Sequence, residues 1–326
     1  MPVVDDPALS PVRTHEDLLG VVPHLLGFHP QESLVLLVLV AGRLELTARL
    51  DLAAVREPAD LDALFRQLRS RFPGASLTGI AYSANARRAW TALGAAELAA
   101  GERWEGSVHV DGARWWLAPG AVGGSYRPGE TVAAAEATLL GLQARPSRGC
   151  LADSVATDPD VGAWHRREYE RARRAADRAT GAPGRVLTGV LADVLAGRVA
   201  LDDAACARLA ALAADQRSRE AAILFTTAPI ADALVGLWTT VVRRVPRPAA
   251  AAALGLLGLA AWVRGDGALQ NVCLEQGLLI DAEHDLLSIL SDLNAAMVPP
   301  SRWPGMRAML AARVRAGRRR TSPPRT

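Results

Sequence analysis

Between residues 24 and 51 the chain gathers the side chain types best suited to chemistry. His24 and His29 carry imidazoles, Glu32 and Asp51 carboxylates, Ser33 a hydroxyl and Arg49 a guanidinium. Segment 27–33 reads as a loop that leaves a helix end and enters a strand, and loops held on a rigid sheet often carry function. On that reading His29, Glu32 and Ser33 meet Arg49 and Asp51 of the next strand in a polar pocket for a ligand or partner. The same residues admit a structural reading. Gly27 then caps the helix, Phe28 plugs the core, Pro30 stiffens the loop, and Glu32 or Ser33 bonds the backbone. The expected outcome lies between the two: Arg49 and Asp51 form a structural pair that holds the loop.

Metal and catalytic signatures are not found in the sequence. The spacing of five between His24 and His29 suits no helical ligand pair, and no third ligand is evident, so no metal is expected. Arg264-Gly265-Asp266-Gly267 has no Walker Lys and no preceding strand, and reads as a helix–helix turn. The chain has no GxSxG elbow, no HExxH and no paired-carboxylate motif, so no catalytic residue and no cofactor is expected. Trp115 and Trp116 adjoin on a strand and must face opposite ways. An exposed member of the pair would make a candidate aromatic surface for a ligand or partner; packing under the helical half is the alternative.

The positioning elements follow from local pattern. Thr14 reads as an N-cap, with Glu16 and Asp17 in the first turn of a helix. Pro23 is expected to restart a short second helix that ends at Gly27. Residues 33–41, almost wholly Leu and Val, read as a buried strand. Residues 43–51 alternate and complete a hairpin, with Leu44, Leu46, Ala48 and Leu50 on a dry face and Arg43, Glu45, Thr47, Arg49 and Asp51 on the other. A helix at 61–72, a strand at 77–82 and a helix at 85–100 come next. Asp111-Gly112 predicts a two-residue hairpin turn with both residues at positive φ.

Residues 119–130, rich in Gly and Pro, mark the expected domain boundary. Beyond them only helices are predicted, at 132–142, 164–180, 186–195, 202–214, 219–225, 230–243, 249–263, 268–280, 284–296 and 305–316. The pair joined by 264–267 is about the length of one tetratricopeptide unit. Residues 164–178, with six Arg and three acids, read as a solvated helix face.

Composition narrows the class. Half of the 326 residues are hydrophobic, enough to bury a core. All 37 basic residues are Arg, and the net charge is +3. Eight of these Arg lie in 302–326, a stretch without an acid; the other 29 face 34 acidic residues, so the body stands at −5. An acidic body suits poorly the clustered cations of phosphate-backbone contact, which leaves Arg318, Arg319 and Arg320 as the one nucleic-acid candidate. Three widely spaced cysteines make no CxxC pair, which points to free thiols in a reducing compartment. Residues 1–10 hold acids and prolines and no apolar run, so no secretory signal is read there. The apolar stretch 249–263 is fifteen residues long, short of the ~20 that span a bilayer, and reads as a buried helix.

The segment Pro23-His24-Leu25-Leu26-Gly27-Phe28-His29-Pro30-Gln31-Glu32-Ser33-Leu34-Val35, after Asp17-Leu18-Leu19, resembles the opening of the actinobacterial domain-of-unknown-function family 4192. Arg49 and Asp51, Trp115-Trp116 and Ala261-Trp262 with 264–268 fit the same family, over about residues 14–300. The resemblance implies no known activity. It also implies a small cysteine-bearing loop after the aromatic pair, and residues 117–122 here hold no Cys.

The expected fold is α+β. A mixed N-terminal sheet with helices (10–118) leads through a linker (119–130) into a helical, tetratricopeptide-like domain (131–316) and a basic disordered tail (317–326). The expected role is a cytoplasmic, non-enzymatic interaction or regulatory module with a protein partner. The alternative is a small-molecule-binding or enzymatic α/β domain using the 27–33 loop, and the weaker alternative is nucleic-acid binding through the tail.

Overall fold

A computed structural model describes residues 14–121, 123–178 and 183–321. The expectations for 1–10, for residues 179–180 of the second predicted helix of the C-terminal half, and for 322–326 lie outside them. Contacts divide the chain into two units at Cys150/Leu151. The fold is α+β, with the strands in the first unit and helices throughout the second.

In the first unit, helix α1 (His15–Leu26) starts where Thr14 Oγ1 accepts the Asp17 N–H, and stops at Gly27 in the left-handed conformation (φ 72°). It is one helix with Pro23 inside it, not two. The missing N–H costs the Leu19 carbonyl its helical donor without ending the helix. Strand β1 (Ser33–Val40) pairs antiparallel with β2 (Arg43–Asp51). Helix α2 (Asp62–Arg71), β3 (Ser76–Tyr82), α3 (Ala86–Ala100), β4 (Trp104–Asp111), β5 (Arg114–Trp116), β6 (Gly124–Ser125) and α4 (Val132–Leu139) follow. The sheet runs β2-β1-β3-β4-β5-β6. Only β3 and β4 are parallel, with α3 as their crossover. His15 stacks on Trp115, while Trp90 of α3 meets His109, the strand partner of Trp116. Helices α1 and α3 therefore cover opposite faces, which is why β1 is apolar along most of its length.

Three details depart from the sequence reading. Leu46 lies opposite Val38 but Leu44 lies opposite Leu39, so a bulge at Glu45 interrupts the alternation of β2. Leu44 thereby leaves the dry face and is 41% exposed. The β4–β5 turn is Gly112-Ala113, closed by Asp111 and Arg114, and only Gly112 has positive φ (57°). Residues 119–130 are no linker. A Cβ on Gly124 would fall 2.5 Å from the Trp115 ring and one on Gly20 would fall 1.9 Å from Thr131 Oγ1, so these glycines permit close packing of β6 on β5 and of α4 on α1.

The second unit begins within α5 (Arg148–Asp153), a helix the periodicity missed, and continues through α6 (Ala163–Arg178), α7 (Pro183–Leu195), α8 (Asp203–Ala214), α9 (Gln216–Phe225), α10 (Ala231–Arg244), α11 (Ala251–Arg264), α12 (Gly267–Leu278), α13 (Asp285–Ala295) and α14 (Trp303–Thr321). Helix α11 is buried from Ala251 to Val263, and α8, α9, α10, α12 and α13 pack around it. Gly255 and Gly258 bring Leu286 and Cys273 close to its backbone. Helix α14 extends five residues past its predicted end, through 317–321 of the expected tail. No single described helix is long and apolar enough to cross a membrane.

Candidate functional site

The chain from α1 to β2 delivers the polar residues to one end of the sheet. Strand β1 runs opposite to β3, so its start at Ser33 adjoins the ends of β2 at Asp51 and of β3 at Tyr82. The incoming loop is clipped down by Arg145, whose N–H donates to Gly27 O and whose carbonyl accepts the His29 N–H, both at 2.9 Å. His24 Nδ1 lies 2.7 Å from Leu142 O, a contact that requires its proton on Nδ1. His29 is half-buried; burial first, then nearby His24, hold its imidazole below the usual histidine range. It therefore stays neutral near pH 7.

Four of the five loop and strand residues, all but His29, separate into two branches. Ser33 is fully buried; its hydroxyl donates to Gln31 O (2.7 Å) and accepts from Arg49 Nε (2.9 Å). Arg49 Nη2 meets Asp51 Oδ1 at 2.6 Å, the arginine 20% and the aspartate 70% exposed. Arg49 thus joins Asp51 at the end of β2 to the buried Ser33 hydroxyl at the start of β1, and the pair expected from the sequence is formed.

Glu32 makes the other branch. Its backbone lies at φ 43°, a strained position for a residue with a Cβ. Its carbonyl accepts the Leu52 N–H, which extends the β1–β2 ladder. Its carboxylate reaches across β3 to the start of α3. Oε1 accepts from Ser83 Oγ at 2.7 Å and Oε2 pairs with Arg88 Nη1 at 3.2 Å. Ser83 Oγ in turn accepts the Asn85 N–H, and Asn85 Oδ1 caps α3 by accepting the Arg88 N–H. Glu32, Ser83, Asn85 and Arg88 thus close a ring of hydrogen bonds.

Arg88 also lines a cleft of about 280 Å³ at this sheet end. It is lined by Leu52, Ala53 and Val55 just after β2, of which Leu52 and Val55 are almost wholly buried and Ala53 is exposed. Its cationic and polar lining is Arg56 with Asn85, Arg87, Arg88 and Thr91 of the α3 start. Arg87 has no ion-pair partner among the described residues. Arg56 donates from Nε to Ala53 O, and its N–H is held by Asp60. The Asp60 carboxylate is drawn below its usual range by the backbone N–H groups of Arg56 and Glu57. The cleft lies where a parallel strand hands over to its helix, the usual ligand crevice of α/β sheets. The positive end of the α3 dipole there favours an anion.

His29, Ser33, Arg49 and Asp51 do not line this cleft, and Glu32 borders it through Arg88. The residues that do line it went unnoticed in the sequence, although Asn85-Ala86-Arg87-Arg88 after a strand was a usable signal. The aromatic pair is not an exposed surface. Trp115 stacks on His15 at 5.0 Å, Trp116 stacks on His109 at 5.1 Å, and both are half-buried. Among the described residues no group of three or more His, Cys, Asp or Glu is placed to hold a metal ion.

Residues 16–301 match the family model described as Domain of unknown function (DUF4192). No curated protein and no solved structure matches the chain.

Proposed function

We propose that this chain, which belongs to the DUF4192 family, is a non-catalytic binding module whose first unit takes a small anionic ligand in the cleft between the end of β2 and the start of α3. The observation that carries it is that three arginines, Arg56, Arg87 and Arg88, line one cleft of about 280 Å³. Arginine forks are suited to bidentate capture of phosphate or carboxylate. The volume is near the lower end of small-molecule pockets, about 300 Å³. The test is a thermal-shift titration with inorganic phosphate. The wild type should gain stability as ligand saturates the site, and Arg87→Gln should abolish the gain. An equal gain in both proteins would place phosphate elsewhere and end this reading.

A cytoplasmic location fits the burial of the Cys206 and Cys273 thiols, whose ionisation burial pushes up, to about 12 for Cys206. A separate role in nucleic-acid contact is favoured by one feature, the continuation of α14 to Thr321. Arg313 and Arg315 are exposed on that helix, and Arg318, Arg319 and Arg320 extend it. Removal of 317–326 should then lower DNA affinity and flatten its dependence on salt.

A further inference from the structure

Strand β2 is the long edge of the sheet. It pairs with β1 on one side, and no described residue forms a ladder with its other side; the opposite edge is the two-residue β6. The direction of its backbone groups follows from one hydrogen bond. The Leu52 N–H donates to Glu32 O, and these two residues continue the β1–β2 register. Bonded and non-bonded pairs alternate along an antiparallel ladder, so Leu46, Ala48 and Leu50 bond to β1 while Thr47, Arg49 and Asp51 turn their N–H and C=O groups away from it. Such a row is a template for another strand, and β2, nine residues long, has no proline to block it.

The side chains decide what the other strand is. Two copies of β2 related by a two-fold axis pair antiparallel, and an axis at Thr47 sets Glu45 of each copy opposite Arg49 of the other, and Thr47 opposite Thr47. An axis at Glu45, Leu46, Ala48 or Arg49 instead opposes Glu45 with Glu45, Arg43 with Arg49, Glu45 with Asp51, or Arg49 with Arg49. Like charges directly opposite destabilise a strand pair, so the charges of β2 select the register at Thr47. The groups it needs are available. Glu45 is exposed and has no ion-pair partner among the described residues. Arg49 donates from Nε to Ser33 and pairs through Nη2 with Asp51, while its Nη1 makes no bond among the described residues. Leu46, Ala48 and Leu50 are only half-buried, so a seam here also has apolar surface to cover.

We infer that the chain forms a two-fold dimer in which β2 pairs with β2 of a second copy, antiparallel and centred on Thr47, joining two six-stranded sheets into one. The N–H and C=O of Thr47 then bond Thr47 of the second copy, and two Glu45–Arg49 pairs flank them. The bulge at Glu45 ends the seam, because it puts Leu44 and Arg43 out of step with the strand beyond.

Sedimentation equilibrium over a range of concentrations, with amide exchange followed by NMR, tests this. The wild type should be a reversible dimer. Its Thr47 and Arg49 amides should gain protection as concentration rises, while the Ala48 amide, already bonded to β1, should not change. Thr47→Pro should give a monomer with the wild-type fold, because the N–H it removes faces away from β1. Glu45→Arg, at an exposed residue, should weaken dimerisation about tenfold or more, since symmetry turns two opposite-charge pairs into two like-charge pairs. A wild type that stays monomeric at every concentration would overturn the inference. So would a dimer that Thr47→Pro leaves intact, because another surface would then hold it. A dimer that Glu45→Arg does not weaken would overturn the register at Thr47. If Thr47→Pro fails to fold, protection of the wild-type Thr47 amide decides alone, and a dimer without that protection overturns the seam.

Discussion

Each unit contains an arginine–carboxylate pair that ties two elements together, and the two pairs live in opposite surroundings. In the first unit Arg88 meets Glu32 with both side chains half in water, at the mouth of a cleft. In the second, Arg219 of α9 meets Asp285 at the start of α13, at 2.7 Å, and the arginine is only 9% exposed. Arg219 also donates to the carbonyls of Ala213 and Ala214, closing the C-terminal end of α8. His284 lies beside it with both ring nitrogens lacking a hydrogen-bond partner among the described residues. Asp285 shows the balance of forces. Burial pushes its carboxyl up, but Arg219 and the Leu286 N–H together hold it below the usual range. The same chemical pair is thus replaceable where water can stand in for either partner, and structural where it cannot.

Substitutions can break this contrast in order of size. The largest effect is expected at Arg219. Arg219→Leu removes three hydrogen bonds and strands the α8 carbonyls, and should cost about 3 kcal/mol in denaturant unfolding. A loss under about 1 kcal/mol would mean that the buried pair is no stronger than an exposed one. Arg49→Ala comes next, at about 1–2 kcal/mol, because it leaves the buried Ser33 hydroxyl with one partner fewer. Asp51→Ala, at a mostly exposed residue, should cost no more than about 0.5 kcal/mol. The double mutant should then lose less than the sum of the two, whereas strict additivity would show that the pair does not hold the loop.

A pH titration sharpens the contrast further. Burial first, then the Arg219 charge, hold His284 below its ordinary value, against the opposing pull of Asp285 and Asp281. The unfolded chain takes up the proton near pH 6.5 and the folded chain only at lower pH. Stability of the second unit is therefore complete above about pH 6.5 and declines as pH falls below it. His284→Leu should flatten that decline; an unchanged slope would place the acid sensitivity elsewhere. The smallest stability effect belongs to the exposed pair. Arg88→Gln should change unfolding free energy by no more than about 0.5 kcal/mol, yet remove most phosphate affinity. A large stability loss there would make Arg88 structural like Arg219 and collapse the difference between the units.

Whatever depends on neighbours in the chain was legible without the fold. Thr14 caps α1 because its side chain reaches an N–H three residues on. Gly27 ends α1 because it adopts φ 72° at no steric cost. The Leu/Val run of β1 and the Ala/Leu run of α11 are buried because no polar side chain interrupts them. Even the family was visible in 23–35, and Arg49 and Asp51 were correctly paired from a two-residue spacing. What failed was what depends on distant parts of the chain. Gly123 and Gly124 read as a linker because nothing local says that Trp115 will lie against them. Leu44 read as dry because a bulge at Glu45 arises from the pairing of two strands and not from either alone. The cleft could not be foreseen as a cleft. Arg56 and Arg87 are thirty-one positions apart, and only the order of β2, β1 and β3 brings the end of one strand beside the helix that follows another. Local pattern sets each element, because propensity and capping act within a few residues. The charge of the site is a sum over three segments, and the tertiary fold alone decides which segments are added.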